Sequence, residues 1–172
     1  AENLLGMVDD LLSSQTFSTL VIRFSEALDP VSAGSIALFR LMEAGPNGVP
    51  GDGDDVAITV ANITYTAGDV DVRLNFAASL PQGLYRLTLV STAVDAIVDQ
   101  AGNALDGDAN GTATGNFVRN FRLDLTPPTV VSVAPSGSVG SGPTQYTVVF
   151  AENLALSLAT VTNAANYLLF SS

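Results

Sequence analysis

A repeat is the feature that most restricts what this chain can fold into. Residues 19–28 (TLVIRFSEAL) resemble residues 145–154 (QYTVVFAENL), with an offset of 126 residues that places Phe24 on Phe150 and Glu26 on Glu152. Self-similarity at a fixed period is the mark of a repeat architecture, in which each period is one structural unit. The chain is therefore expected to contain more than one copy of the same unit.

Two further segments follow the repeat in the same order. At the offset of 126, the apolar run 4–8 falls on residues 130–134, and residues 35–39 (SIALF) resemble residues 166–170 (NYLLF) at an offset of 131. We predict a complete unit at residues 1–126 and the first third of a second unit at residues 127–172. The linker, DLTPPT, holds two prolines, which fix φ and stiffen it.

The complete unit is patterned as short strands separated by turn residues. Residues 70–76 show this best: Val72, Leu74 and Phe76 alternate with Asp71, Arg73 and Asn75, the period of a half-buried strand. The predicted strands are 3–8, 17–25, 35–42, 56–65 (with a bulge near Val60), 70–76, 84–91 and 117–125. Short helical turns near 29–34 and 158–163 are compatible with the sequence.

These elements predict an all-β chain: a seven-stranded immunoglobulin-like antiparallel sandwich, followed by the first strands of a second repeat. The residues expected in its core are Leu20, Ile22, Phe24, Val72, Leu74, Phe76, Leu87, Leu89 and Phe121. The second unit should supply strands 130–133, 145–150 and 166–170. Three strands leave an apolar face and an edge uncovered. We therefore expect Val148, Phe150, Tyr167 and Leu169 to be buried against another chain or the first unit, and many chains joined in this way would form a fibre or lattice. The alternative is that the chain is cut from a longer parent and that the second unit is poorly ordered without the rest of it.

Charge and composition exclude several classes of function. The formal net charge is −11 and all six basic residues are arginine, so nucleic acid and anionic lipid are not expected partners. The chain has no histidine, cysteine or lysine, which removes thiolate zinc sites and the usual nucleophile–base pairs, and we predict that it is not an enzyme. No apolar run is long enough to insert into a membrane. The first residues show no signal peptide.

The stretch LDGDANG is the first candidate for a metal site. Asp106, Asp108 and Asn110 fill positions 1, 3 and 5 of a calcium-loop template and Gly111 fills position 6, but position 12 is Phe117 instead of glutamate. Calcium needs six to eight oxygens. Backbone carbonyls, Asp99 or Asp95 could complete the shell. The alternative is an ordinary polar turn held by hydrogen bonds from its own side chains.

Residues 47–55 (NGVPGDGDD) are the second candidate. Asp52, Asp54 and Asp55 place three carboxylates within four residues, where they repel one another unless water or a cation screens them. The alternative is a solvated acidic loop, and it is the stronger interpretation of this segment. The cofactor expected from both candidates is calcium.

Four motifs together resemble the bacterial immunoglobulin-like repeats of large secreted and surface-layer proteins. They are VIRFSEALDP (21–30), GLYRLTL (83–89), IVDQAGNALDGDANG (97–111) and DLTPPTVVSVAPS (124–136). The second unit departs from the pattern, because FAENLAL stands where FSEALDP is expected. The resemblance implies secreted or cell-surface work of a structural or adhesive kind, with calcium, beside neighbouring repeats or other copies of the chain.

The rival hypothesis is a carbohydrate- or protein-binding module that recognises an extracellular glycan or protein. Sugar-binding modules stack sugars on exposed aromatic rings, and this chain has no tryptophan. Such a module would therefore need two or more coplanar, exposed tyrosines among Tyr65, Tyr85, Tyr146 and Tyr167. A spacer in a repeat array needs none.

Overall fold

The computed structural model describes residues 2–3, 11–13, 16–136, 144–152 and 156–168. The chain divides into two compact units, Ala1–Leu125 and Thr126–Ser172. The first unit contains strands β1 (Glu2–Asn3), β2 (Leu11–Ser13), β3 (Thr19–Arg23), β4 (Phe39–Glu43), β5 (Val56–Ile58), β6 (Val60–Thr64), β7 (Asp71–Phe76), β8 (Gly83–Leu89) and β9 (Phe117–Leu123), with the helical turn α1 (Pro30–Ala33) and a 3-10 turn (Ile36–Leu38) between β3 and β4.

The strands of the first unit form two sheets. One has the order β1-β3-β7-β6 and the other the order β2-β9-β8-β4-β5. Most neighbours are antiparallel, but β1 runs parallel to β3 and β2 runs parallel to β9. The expected β architecture with antiparallel sheets is therefore confirmed, with two parallel pairs that the sequence did not predict.

The inner faces of the two sheets share one core, which gives a sandwich-like arrangement. Leu20, Val72 and Leu74 of the first sheet belong to the same buried cluster as Tyr85 and Phe121 of the second. The rings of Tyr85 and Phe121 stack with centroids 5.3 Å apart. Eight of the nine predicted core residues are buried. The exception is Phe24, which is half-buried because it lies one residue beyond the end of β3.

The strand count differs from the predicted seven. The described residues of the first unit form nine strand segments. One reason is that the predicted strand 56–65 breaks at Thr59: β5 pairs with β4 in one sheet and β6 pairs with β7 in the other. The bulge expected near Val60 is present in the β6–β7 pairing, between Val60 and Asn62. Of the predicted strand 3–8, residues 4–8 lie outside the described residues.

Tyr65 fixes the segment that follows β3. Its hydroxyl accepts a hydrogen bond from the backbone N–H of Leu28 at 2.9 Å and lies 2.8 Å from the carbonyl oxygen of Asp69, to which it can donate. Leu28 is buried and bridges to Asp99 in the loop after β8. These contacts bring the loop after β3 beside the loop that holds the first candidate metal site.

The second unit contains β10 (Thr129–Ala134), β11 (Thr147–Ala151), the helical turn α2 (Leu158–Val161) and a 3-10 turn (Ala164–Asn166). β10 and β11 pair antiparallel. The predicted strand 166–170 is wrong at its start, because Asn166 ends the 3-10 turn and residues 167–168 are not in a strand; residues 169–170 lie outside the described residues. No helix in the described ranges is long and apolar enough to cross a membrane.

The same succession of elements follows β3 and β11. α1 and α2 begin 128 residues apart, and so do the two 3-10 turns. The caps agree in backbone geometry: the residue before α1 is Asp29, with ψ 128°, and the residue before α2 is Ser157, with ψ 116°. Tyr167 therefore corresponds to Phe39, and the offset of 131 expected for this segment is corrected to 128.

The expected burial of the second unit is not complete within the chain. Val148 and Phe150 are half-buried and Tyr167 is 40% exposed. Leu169 lies outside the described residues. Burial of these side chains by another chain remains a prediction.

Candidate metal centres

The first candidate site lies in the long loop between β8 and β9, which is anchored to the core. Ile97 is fully buried, and its carbonyl oxygen accepts the N–H of Leu105 at 2.9 Å. The hydroxyl of buried Ser91 donates to the carbonyl oxygen of Leu105 at 2.6 Å. The loop is thus positioned by apolar burial and by hydrogen bonds to Leu105, and of its acidic residues Asp95 and Asp108 are exposed, Asp106 is half-buried and Asp99 is buried.

Asp99 is buried and shapes its own turn. One carboxylate oxygen accepts the backbone N–H groups of Ala101 and Asn103, each at 2.8 Å, and the other accepts the side-chain amide of Asn103 at 2.7 Å. The hydrogen bond from the Asn103 side chain, followed by those from the backbone, lowers the pKa of Asp99. Both oxygens of this predicted calcium ligand are engaged in the turn.

The stretch 106–112 is also a hydrogen-bonded turn. The two oxygens of Asp106 accept the backbone N–H groups of Asn110 at 3.1 Å and Gly111 at 2.9 Å. Asp108 accepts the side-chain amide of Asn110 at 2.9 Å, and the amide oxygen of Asn110 accepts the N–H and hydroxyl of Thr112. Gly111 has φ 86°, which glycine adopts at little cost. The side chains proposed for calcium thus accept hydrogen bonds from backbone and side-chain donors of the same loop.

The predicted ligands of this loop do not converge on one point. Asp99 and Asp106 line a cleft of about 240 Å³ together with Glu26, but Asp108 and Asn110 are not in its lining. Within the described ranges, no three acidic side chains that include Asp99, Asp106 or Asp108 place their oxygens within 4.8 Å of one another. Glu26 follows β3 and is exposed. Its approach to Asp99 depends on the bridge from Leu28, for which the sequence gives no signal.

The second candidate does bring its carboxylates together. Asp52, Asp54 and Asp55 each place an oxygen within 4.8 Å of the other two, in the loop between β4 and β5. A hydrogen bond between Asp52 and Asp54 raises the pKa of Asp54 and lowers that of Asp52, because one proton is shared between two neighbouring carboxylates. The loop therefore concentrates negative charge, as its sequence predicted.

Local hydrogen bonds hold this acidic loop as well. The Asn47 side-chain amide donates to Asp52 at 2.6 Å, and the N–H of Gly51 donates to Asp55 at 2.6 Å. The other oxygen of Asp55 is buried and has no hydrogen-bond partner among the described residues. Arg86 lies against the loop, since a Cβ on Gly51 would come within 1.6 Å of its guanidinium. This cation next to the acidic group competes electrostatically with a bound metal ion.

The tyrosines were the test for a sugar-binding module. Tyr85 is buried and Tyr65 is half-buried with its hydroxyl bonded, whereas Tyr146 and Tyr167 are 41% and 40% exposed. Both exposed tyrosines line one groove in the second unit. The ring–ring contacts of the described chain all lie in the first unit's core, so these two tyrosines do not stack on each other.

Comparisons of the chain with protein-family models, with curated proteins and with solved structures found no match. The resemblance to bacterial immunoglobulin-like repeats therefore rests on the sequence motifs. The functional argument below rests on the repeated elements, the acidic loops and the distribution of apolar and charged residues.

Proposed function

We propose that this chain is a structural or adhesive repeat module of a secreted or cell-surface bacterial protein, of the immunoglobulin-like kind. The observation that carries the proposal is the recurrence of one succession of elements, a strand, a helical turn and a 3-10 turn, in both units, with N-cap residues of the same extended backbone geometry. Repeat modules of this kind act by spacing and stacking against neighbours.

A non-catalytic role fits the chemistry of the chain. It lacks histidine, cysteine and lysine, so acid–base and nucleophilic chemistry would have to rely on carboxylates, tyrosines and hydroxyls. The carboxylates with resolved pKa shifts are engaged in hydrogen bonds or ion pairs with neighbours, such as Asp71, which Arg23 contacts at 2.6 and 2.9 Å. This supports a module that binds or spaces over one that catalyses a reaction.

Calcium stabilisation of the loop after β8 is part of the proposal. Asp106 accepts N–H groups from the fifth and sixth positions of its loop, and Gly111 makes the sharp turn that the calcium-loop template requires at position six. Asp106 and Asp108 would supply the side-chain oxygens, with backbone carbonyls of the loop. The acidic group Asp52, Asp54 and Asp55 is the second place where a cation could bind.

Thermal melting in calcium and in EDTA tests this part of the proposal. An ion that binds only the folded state, at a free concentration one hundred times its Kd, adds about 2.7 kcal/mol to the free energy of unfolding. We expect the melting temperature to rise with calcium, Asp108→Ala to abolish the rise, and Asp52→Ala, in the other loop, to leave it intact. If Asp52→Ala abolishes the rise and Asp108→Ala does not, calcium binds the β4–β5 loop instead. If the melting temperature is the same in calcium and in EDTA, neither loop binds calcium and both are ordinary polar turns.

The second candidate function is a glycan-binding module, favoured by the exposure of Tyr146 and Tyr167 on one groove. A glycan array probed with the labelled chain distinguishes the two. Binding that Tyr146→Ala and Tyr167→Ala each abolish would establish the binding module. Tyr65→Phe, which leaves the groove unchanged, should then bind like the wild type, whereas a spacer gives no signal above background with the wild type or any variant.

A further inference from the structure

The sequence holds two Asn-x-Thr tripeptides that neither the fold nor the proposed calcium site explains. They are NIT (residues 62–64) and NGT (residues 110–112). A tripeptide of this form, with any residue except proline in the middle, is the acceptor for asparagine-linked glycosylation. The acceptor has to be at the surface, because the asparagine side chain must enter the active site of a transferase. The structure distinguishes the two tripeptides, since one lies in a strand and the other in a loop.

Asn62 lies in an edge strand and is bound to the neighbouring strand. β6 is the last strand of its sheet and pairs with β7, which places Asn62 opposite Asn75 and Thr64 opposite Arg73. The side-chain amide of Asn75 donates to the amide oxygen of Asn62 at 2.8 Å and to the hydroxyl of Thr64 at 3.0 Å. A transferase that encloses this tripeptide in a cleft has to separate β6 from β7, which breaks backbone hydrogen bonds of the sheet. The fold therefore protects Asn62 from modification, although its side chain is exposed.

Asn110 lies in an exposed turn of the loop between β8 and β9. Asn110, Gly111 and Thr112 are all exposed. The φ angles of Ala109 and Gly111 are 55° and 86°, so the backbone turns sharply on both sides of Asn110. Apart from its chain neighbours, a Cβ on Gly111 would meet no atom of the described residues within 4 Å, so the tip of the turn is surrounded by open space. A bulky glycan at this position would extend into solvent.

The hydrogen bonds of this second tripeptide stay within its own turn. The backbone N–H groups of Asn110 and Gly111 donate to Asp106 at 3.1 and 2.9 Å. The amide oxygen of Asn110 accepts the N–H and the hydroxyl of Thr112, which holds the two side chains of the motif together. The amide nitrogen of Asn110 donates to Asp108 at 2.9 Å. None of these bonds reaches a strand, so the turn can enter a cleft as one piece without opening a sheet.

We propose that Asn110 is a glycosylation site, to which a transferase attaches a glycan from a lipid-linked glycosyl diphosphate. The amide nitrogen of Asn110 forms a bond to the anomeric carbon of the first sugar, and the bond from that carbon to the diphosphate oxygen breaks. The diphosphate leaves with the electron pair and the nitrogen loses one proton, so no oxidant or reductant is needed. The proposal rests on the secreted or cell-surface role proposed above, because acceptors of this kind are modified in secreted proteins.

Transfer to the folded full chain tests the proposal. The purified chain is incubated with a bacterial oligosaccharyltransferase and its lipid-linked oligosaccharide, under conditions that modify a control acceptor peptide, and intact mass and peptide mapping locate the product. We expect a single added glycan at Asn110. Asn110→Gln should lose it, as should Thr112→Val, which removes the hydroxyl of the motif. Thr112→Ser restores the hydroxyl and should keep the glycan.

Asn62→Gln is the matched control at the other tripeptide, and it should carry the same single glycan as the wild type. Circular dichroism melting of each variant verifies that it is folded. An unmodified full chain, a glycan on Asn62, or a glycan that Thr112→Val retains would overturn the proposal. The transfer reaction uses purified protein without regard to where a cell places it, and melting in calcium is measured on the unglycosylated chain. The glycosylation site and the calcium-stabilised module can therefore fail separately.

Discussion

The acidic side chains of the first unit bond mostly to donors close to them in sequence. Asp29 accepts the N–H groups of Val31 and Ser32 and caps α1, Asp69 accepts those of Val70 and Asp71, and Asp99 and Asp106 close turns in the same way. A carboxylate that accepts N–H bonds is stabilised in its charged form. Part of the formal charge of −11 therefore lies on carboxylates that accept hydrogen bonds from backbone N–H groups in loops.

Asp99→Asn tests this at one position. The folded-state pKa of Asp99 lies below its ordinary value, so its charge stabilises the fold above that value, and this contribution is lost as the pH falls through the folded pKa. We expect the variant to be less stable than the wild type at pH 7, with a difference that shrinks as the pH falls below the ordinary pKa of Asp and through the lowered folded-state pKa of Asp99, because the carboxyl group then becomes protonated. Urea denaturation from pH 7 to pH 2 measures this difference.

The control for Asp99→Asn is Asp95→Asn in the exposed part of the same loop. Its side chain lies at the surface, so the change in unfolding free energy at pH 7 should stay within about 0.5 kcal/mol. A pH-independent difference between Asp99→Asn and the wild type would mean that packing and not charge sets the role of Asp99.

At the scale of elements, period-two alternation was enough to predict the central strands. β7, β8 and β9 lie where the patterns of 70–76, 84–91 and 117–125 placed them, because a strand buried on one face must alternate. The pattern of residues 56–65 predicts one strand, and this prediction is wrong because the segment forms β5 and β6 in different sheets. Both halves are strand-forming, and the change of sheet at Thr59 is set by partners far away in sequence.

The candidate sites were less predictable than the strands. Residue type and spacing identified Asp52, Asp54 and Asp55, because they are neighbours in sequence and must be close in space. The other candidate needed Asp99 to approach Asp108 across a folded loop. Turn hydrogen bonds fix where each carboxylate points, and the sequence shows only that such bonds are available. Glu26 lines the same cleft as Asp99 and Asp106 because the backbone of Leu28 bridges to Asp99. This bridge joins residues far apart in sequence, so the sequence pattern does not show it.

The burial of β7 leads to a prediction about stability. Leu74 is fully buried and lies opposite Leu20 of β3 and Ile63 of β6. Leu74→Ala should lower the free energy of unfolding by about 2–5 kcal/mol, through lost apolar burial and the cavity left behind. Arg73→Ala, on the outer face of the same strand, is the control and should cost at most about 1 kcal/mol, because its contact with Asp71 is exposed and 4.0 Å long. Equal losses in chemical denaturation would contradict the assigned faces.

Across the whole molecule, apolar burial and charge are divided unequally between the two units. The first unit holds the buried hydrophobic residues of the described chain and nearly all the charge, whereas the second exposes Val130, Val131 and Leu168 and carries one charged residue. A unit with exposed apolar side chains and a single charge contributes little to its own stability in water but much to association. The first unit is therefore expected to fold by itself, and the second to depend on cover.

Truncation after Leu125 tests this division. The truncated chain keeps Leu123 and Asp124, both buried, and the hydrogen bond from the N–H of Leu125 to the side chain of Gln82 at 3.1 Å. We expect residues 1–125 to melt in one cooperative transition within about 4 °C of the full chain's main transition, the shift that roughly 1 kcal/mol causes in a domain of this size. The full chain should gain a second, concentration-dependent contribution that the truncated chain lacks, because association stabilises by mass action. Calorimetry at two protein concentrations separates the unfolding of the first unit from the concentration-dependent contribution of association. A truncated chain without a cooperative transition would mean that the second unit completes the core of the first.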